Sequence, residues 1–104
     1  MKFFMTVILA LLSMSTSVMA AEHVIGQKNK AFTKKSITIK KGDTIKFPNQ
    51  DPFFHNVYSM SESKSFDLGS YAKGVSKSVK FDKQGEVIVQ CAIHPFMKLK
   101  VKVE

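Results

Sequence analysis

The sequence predicts an all-β domain, a two-sheet Greek-key sandwich, downstream of a short leader. Three observations predict this fold class. Apolar and polar residues alternate with period two in several short runs, turn-forming residues separate these runs, and no helical periodicity follows the leader. Several short strands with one longer crossover are typical of two packed sheets. A small closed barrel is the alternative.

Residues 1–20 predict a cleavable signal peptide. Lys2 supplies the positive start, Phe3–Leu12 is apolar apart from one threonine, and small residues precede a cleavage point after Ala20. The apolar run is shorter than the roughly 20 residues that span a bilayer, so an uncleaved membrane anchor is the less favoured alternative. Cleavage would leave one exported domain, residues 21–104, which is 104 − 20 = 84 residues long. We expect it in the periplasm.

Four runs of alternating residues predict strands with one buried face: "SITIK", "TIKF", "VSKSVKF" and "LKVKV". Their inward residues are expected to be Ile37, Ile39, Ile45, Phe47, Val75, Val79, Phe81, Leu99, Val101 and Val103. A fifth run, "EVIVQC", is apolar on consecutive residues. That pattern is typical of a strand at the sheet centre or covered on both faces.

Turn residues separate the predicted strands. The stretches "KKGD", "PNQDP" and "DKQGE" each combine glycine, proline, asparagine or aspartate. The polar stretch 60–74, "MSESKSFDLGSYAKG", is interpreted as the long connection from one sheet to the other.

The charge balance is strongly basic and rests on lysine alone. Sixteen lysines oppose eight acidic residues, and loss of Lys2 with the leader leaves 15 − 8 = +7. A solvated lysine face is the simplest interpretation. Long-range attraction to an acidic partner or an anionic surface is the other. Export and the absence of arginine argue against nucleic acid.

Cys91 is the single cysteine, and it stands in "CAIHPFM" with His94 and Met97. A lone thiol has no disulfide partner, and a bound metal would both occupy it and stabilise a small fold. Pro95 interrupts strand pairing, so the three side chains are expected on one loop where they can converge. Thiolate, imidazole and thioether form a soft ligand set that favours copper over zinc or a hard ion.

A trigonal copper site requires a second histidine, and the candidates are His55 and His23. His55 follows a turn, at the start of an apolar strand. Phe53 and Phe54 would surround it with apolar surface, and Asn56 would pin the loop through hydrogen bonds. We therefore predict His55.

Two other interpretations of these residues exist. Cys91 and His94 would suit a thiol nucleophile and its base, but the chain is too small to build a substrate cleft around them. Met97 would be core filler in most contexts. Neither interpretation accounts for all three residues at this spacing.

The order of an upstream "HN" histidine and then Cys, His and Met at three-residue intervals resembles the cupredoxins. Within them it resembles the amicyanins, whose short ligand loop ends in "HPFM", and the likeness runs from about residue 36 to 104, including "GDTIKF". The resemblance implies copper bonds from His55, Cys91 and His94, with Met97 as a weak axial ligand. It implies one ion that cycles between Cu(I) and Cu(II).

The resemblance also implies the function of a small monomeric electron carrier that is not an enzyme. Electrons would leave through His94, within an apolar patch for which Pro52, Phe53, Pro95 and Phe96 are the candidates. A cytochrome c or a periplasmic oxidoreductase, such as methylamine dehydrogenase, would be the transient partner, and no membrane insertion would remain after cleavage. The rival hypotheses are a copper carrier without an electron-transfer role, supported by a possible Cu(II)-binding terminus "AEH", and a metal-free binding module.

Overall fold

The computed structural model describes residues 19–104, so the predicted signal peptide, residues 1–20, lies outside it apart from its last two positions. Within the described part of the chain, no helix has the length and apolar character needed to cross a membrane. The described residues form ten strands, numbered in chain order: β1 (Glu22–Val24), β2 (Gln27–Lys28), β3 (Ala31–Phe32), β4 (Ser36–Ile39), β5 (Thr44–Pro48), β6 (His55–Ser61), β7 (Lys64–Tyr71), β8 (Ser76–Lys80), β9 (Gly85–Cys91) and β10 (Lys98–Val103).

Two packed sheets confirm the predicted all-β sandwich. The larger has the order β4-β10-β9-β6-β7 and the smaller the order β1-β5-β8, while β2 and β3 form a separate hairpin. The chain passes from the larger sheet to the smaller between β7 and β8 and returns at β9. Pairs β9–β10, β6–β9, β6–β7 and β5–β8 are antiparallel, and β4 and β1 add as parallel edge strands.

The core lies where the inward faces of the two sheets meet, and the alternating runs supply it. Phe47 of β5 is fully buried, with ring centroids 6.4 Å from Phe32 and 6.5 Å from Phe66. Phe66 in turn contacts Phe81 edge-on at 6.2 Å. Strand β10 alternates as predicted, with its apolar residues buried and its lysines exposed. Burial of these side chains is the main driving force for the fold.

The interpretation of residues 60–74 as a crossover connection was wrong. Most of it is β7, an antiparallel partner of β6 at the edge of the larger sheet, and the crossover is confined to residues 72–75. Phe66 and Leu68 pack on the core, whereas the alternate residues face water. An edge strand with one solvated face carries few apolar residues, and this made it resemble a loop.

One smaller expectation failed, and another was met in one of its two forms. Val75 precedes β8 and is 42% exposed, so it does not belong to the inward series. Strand β9 is at the sheet centre, as predicted, but Ile88 is only half-buried, so the strand is fully covered on one face alone.

Candidate metal centre

Two neighbouring strands of the larger sheet end at the same tip of the sandwich and bring three predicted residues together. His55 is the first residue of β6 and Cys91 the last of β9, and the two strands pair through Val57 and Cys91. His94 follows on the loop between β9 and β10. One ligand atom from each of His55, Cys91 and His94 lies within 4.8 Å of the others.

The donor atoms face one another. His55 Nδ1 is 3.4 Å from Cys91 Sγ, and His94 Nδ1 is 3.9 Å from the same sulfur. The two imidazole centroids are 5.0 Å apart. Donor atoms at these separations can share one ion at bond lengths of about 2.0–2.3 Å, so the three residues fit a single thiolate-binding metal.

Met97 lies at the base of the same loop. It is 2% exposed, and its backbone N–H donates to the carbonyl of His94 at 2.9 Å, which closes the loop just before β10. The side chain of Met97 is therefore buried at the end of the loop that carries Cys91 and His94. Its ligand role remains a prediction.

The thiol sulfur is fully enclosed. Cys91 has no exposed surface, and its Sγ accepts the backbone N–H of Asn56 at 3.4 Å. Asn56 pins the loop as predicted, but with its backbone: its carbonyl accepts the N–H of Ala92 at 2.9 Å, while its buried side-chain oxygen Oδ1 has no hydrogen-bond partner in the described residues. The Asn56 N–H therefore helps to fix the position of the sulfur.

Asp51, which the sequence analysis did not single out, fixes the orientation of His55. Its Oδ2 lies 2.7 Å from His55 Nε2, and both side chains are almost fully buried. A carboxylate only accepts hydrogen bonds, so the proton of the ring is on Nε2. The lone pair is then on Nδ1, which faces Cys91. A carboxylate behind a histidine is a recurrent arrangement at metal centres.

Backbone amides of a tight turn hold the Asp51 carboxylate in place. The hairpin of β2 and β3 turns at Asn29 and Lys30, whose φ angles of 55° and 58° are both positive, as in the two-residue turns that suit hairpins. Their amides donate to Asp51 at 2.7 and 3.0 Å. Burial alone raises the pKa of Asp51, but the hydrogen bonds with His55 and these amides outweigh it and lower the pKa below its usual value.

Asn49 organises the segment that leads to His55. It is 1% exposed and makes three hydrogen bonds: its amide donates to the carbonyls of Phe53 at 2.8 Å and Tyr71 at 2.9 Å, and its oxygen accepts the N–H of Asp51 at 2.9 Å. The stretch "PNQDP", read from the sequence only as a turn, therefore supplies the scaffold of the centre.

His94 closes the centre on its outer side. It is half-buried, and the ring of Phe53 lies 5.3 Å from both His94 and His55. Burial, followed by the charges of His55 and Lys30, lowers the pKa of His94, although Asp51 opposes the effect. The imidazole is therefore predisposed to the neutral, metal-binding form.

Apolar side chains adjoin His94. Of the predicted members, Phe53 and Phe96 have ring centroids 5.3 and 5.9 Å from that of His94, and Pro95 follows His94 in the chain. The predicted Pro52 and the additional residues Phe54 and Ile93 are chain neighbours of these residues. Phe54, Ile93 and Phe96 are 57%, 48% and 69% exposed, values that are high for large apolar side chains. We call these six residues the apolar rim. The ammonium of Lys30 lies 5.7 Å from the ring of Phe53, at the edge of this surface.

His23 does not join the cluster. It lies on β1 and its Nε2 is 2.9 Å from Oδ2 of Asp43. Of the two candidate histidines, the structure therefore brings only His55 to the thiol.

Solved structures that resemble this chain include several copper proteins. An amicyanin variant in its reduced Cu(I) form at pH 4 is 25% identical, has a TM-score of 0.74, and is matched over 85% of this chain and 87% of its own. An oxidised amicyanin variant is 26% identical, with a TM-score of 0.74 over 80% of this chain and 82% of its own. A copper-containing nitrite reductase from Thermus scotoductus SA-01 shares the fold at 24% identity and a TM-score of 0.74; the match covers 80% of this chain but spans only 22% of the reductase.

The sequence comparisons give the family. No curated protein matched the sequence. The family model described as copper binding proteins of the plastocyanin/azurin family matches residues 19–104. Copper is therefore the cofactor, in agreement with the soft donor set. The chain belongs to the plastocyanin/azurin family of copper-binding proteins, the cupredoxins, and within it resembles the amicyanins.

Proposed function

We infer that this protein is a type 1 blue copper protein that carries single electrons between larger redox proteins and is not itself an enzyme. His55, Cys91 and His94 would hold the ion, with Met97 as a weak axial ligand. When bound, copper supplies a one-electron couple between Cu(II) and Cu(I). The observation that carries the inference is the convergence of the three donors directly beneath an exposed apolar surface.

The residues around the donors suit a centre that changes little during electron transfer. Asp51 holds His55 in one tautomer, Asn56 donates to the sulfur, and the His94–Met97 hydrogen bond fixes the loop. A frame that is formed in advance lowers the cost of rearrangement when the charge at the centre changes.

The apolar rim suits a brief contact with a redox partner. His94 is half-buried between the rings of Phe53 and Phe96, so a partner that covers the rim would approach the site through one imidazole. The surrounding charge of 15 − 8 = +7 on residues 21–104 would speed the encounter with an acidic partner, and a small contact area would allow rapid release. A cytochrome c or a periplasmic oxidoreductase such as methylamine dehydrogenase fits this description, with the carrier acting as a monomer.

Export supports the same role. We infer that residues 1–20 are removed as a signal peptide and that residues 21–104 work in the periplasm. A buried lone thiol in such a compartment is best explained by a metal that occupies it.

Colour tests the site. Purified protein should turn intensely blue with Cu(II) and bleach reversibly with ascorbate, and Cys91→Ala and His55→Gln should abolish the colour. His23→Gln is the matched control for His55→Gln and should remain blue. Met97→Gln should keep copper but lower the reduction potential, whereas Met60→Gln, at an 84% exposed methionine, should not. Blue Cys91→Ala protein would refute the assignment.

Kinetics separates an electron carrier from a copper carrier. Stopped-flow mixing of the Cu(I) protein with oxidised cytochrome c should give electron transfer much faster than transfer of copper to a chelator under the same conditions. The reverse order would favour copper delivery.

A further inference from the structure

The buried carboxylate of Asp43, in the turn before β5, contacts the first residues of the predicted mature domain. Asp43 is 5% exposed, and its Oδ1 accepts the backbone N–H of Ala21 at 2.9 Å. Its Oδ2 lies 2.9 Å from His23 Nε2 and also accepts the N–H of Lys40 at 3.0 Å. The hydrogen bond with His23, followed by those from Ala21 and Lys40, lowers the pKa of Asp43 to about 2. The carboxylate is therefore charged throughout the ordinary pH range.

The turn that carries Asp43 is held by hydrogen bonds that do not involve the N-terminal segment. The N–H of Asp43 donates to the carbonyl of Lys40 at 3.0 Å, and Gly42 takes a φ of 95°, which favours glycine. Two further backbone hydrogen bonds join this turn to Phe81: the N–H of Gly42 donates at 2.7 Å, and the carbonyl of Asp43 accepts at 2.8 Å. The turn thus presents the carboxylate in a fixed position.

Strand β1 is anchored at its end by Ile25, which is fully buried and whose N–H donates to the carbonyl of Lys46 at 3.0 Å, whereas Ala21 and Glu22 at its start are exposed. The strand is three residues long, pairs only with β5, and lies at the edge of the smaller sheet. Glu22 and Val24 are exposed, so the strand itself buries little apolar surface. Ala21, which precedes the strand, makes two hydrogen bonds to the rest of the fold: its N–H donates to the Asp43 carboxylate, and its carbonyl accepts the N–H of Thr44 at 3.0 Å.

Ala21 is also the residue that the proposed cleavage would make the first of the chain. A signal peptidase would add one water across the Ala20–Ala21 peptide bond, leaving a carboxylate on Ala20 and an ammonium group on Ala21. The nitrogen next to Asp43 would then carry a positive charge and three donors in place of one neutral amide N–H. Charge-assisted hydrogen bonds are roughly twice as strong as neutral ones.

We propose that Asp43 is the receptor for the amino terminus that signal-peptide removal releases, so that processing creates an ion pair which tightens β1 onto the sheet. The proposal rests on cleavage after Ala20. The same carboxylate holds His23 through Nε2, so the amine and the imidazole of the "AEH" terminus would both be anchored to the turn before β5. The mature terminus is thereby a structural element of the sandwich.

The test is a four-protein cycle on the copper-loaded chain that begins at Ala21. The free-amine and Nα-acetylated forms are compared in the native sequence and in Asp43→Asn, and Tm is measured for each. Acetylation removes the charge and should lower Tm by about 2–5 °C in the native sequence, as expected for a partly exposed ion pair in a small domain. It should have little effect in Asp43→Asn. Glu22→Gln is the matched control, because it removes an exposed negative charge beside the same terminus and should leave the acetylation effect intact.

Salt provides a second measurement that does not depend on the Asp43 variant. The Tm advantage of the free amine should shrink between low and high ionic strength, because salt screens an ion pair of which one partner, the Ala21 amine, is exposed. An equal loss of Tm on acetylation in both sequences, an advantage that salt does not change, or a mass for the exported protein that places its first residue elsewhere would each overturn the proposal.

Discussion

Replacing Asp51 by asparagine tests how the centre is held together. The two side chains have nearly the same shape, so the change removes charge and one acceptor while preserving packing. In the native protein, Oδ2 of Asp51 interacts with His55 and Lys30, and Oδ1 accepts from Asn29. All three partners direct an N–H at the carboxylate.

Asparagine cannot satisfy three donors. With its oxygen towards His55 and Lys30, its NH₂ group faces the Asn29 N–H across about 2.7 Å, the present Oδ1 distance. The opposite rotamer loses two bonds instead of one. A hydrogen bond to a charged acceptor contributes about 1.5–3 kcal/mol and a neutral one about 0.5–1.5 kcal/mol. The lost bond removes about 1.5–3 kcal/mol and each weakened bond about 1–1.5 kcal/mol, so the free energy of unfolding should fall by about 3.5–6 kcal/mol.

The copper centre should respond as well. A carboxylate behind a ligating histidine makes the ring more basic and favours Cu(II), and loss of such a partner typically lowers metal affinity about 10–100-fold. If affinity for Cu(II) falls tenfold more than affinity for Cu(I), the reduction potential rises by about 59 mV. The direction of the change in reduction potential is predicted more firmly than its size.

Urea unfolding and voltammetry measure the two effects. Asp82→Asn is the matched control, since its carboxylate is 64% exposed and its one ion pair, with Lys64 at 3.6 Å, should contribute little. The reasoning is refuted if Asp51→Asn resembles Asp82→Asn in both stability and potential. A potential that falls would show that the carboxylate does not favour Cu(II).

Three further predictions follow from buried or surface contacts. Tyr71→Phe should lower the free energy of unfolding by about 1–3 kcal/mol, because the hydroxyl bonds Gln27 at 3.0 Å and the carbonyl of Phe47 at 2.8 Å; an unchanged urea midpoint would contradict this. Phe96→Ala should slow electron exchange with cytochrome c while the potential and Tm stay near native, since this side chain is 69% exposed; a shifted potential with an unchanged rate would count against the rim as a contact surface. The pKa of Asp43 falls from 3.8 to about 2 on folding, so its stabilising contribution is complete above about pH 4 and is lost as the pH falls towards 2. The Tm difference between native and Asp43→Asn protein should therefore narrow over that range, and a difference that is undiminished at pH 2 would disprove the linkage.

The sequence was most informative where chemistry and periodicity are local. Period-two alternation located the strands around Ile45, Val79 and Val101, because each strand has one buried face. The spacing of Cys91, His94 and Met97 on one loop suggested the metal before any fold was known. Glycine and asparagine in the turns separated the strands correctly.

Long-range polar contacts were beyond such reasoning. Asp51 meets the amides of Asn29 and Lys30 from more than 20 positions away, and nothing in "PNQDP" distinguishes a carboxylate in a solvated turn from one that supports a histidine. The spacing of four between Asp51 and His55 was the available signal. Strand β7 was missed for another reason: its partner, and not its composition, makes it a strand.

The enclosure of Cys91 bears on the fate of newly made protein that has not yet met copper. Oxidation and disulfide exchange require that an oxidant or another thiol reach the sulfur, and here none can while the fold is closed. Burial should therefore slow these reactions in protein that has not yet bound copper, and bound copper would prevent them by occupying the sulfur. His94 is half-buried, whereas His55 and Cys91 are fully buried. Copper should therefore enter the site when the His94 ring rotates outward. His94, the residue proposed to conduct electrons, would then also control the entry of copper.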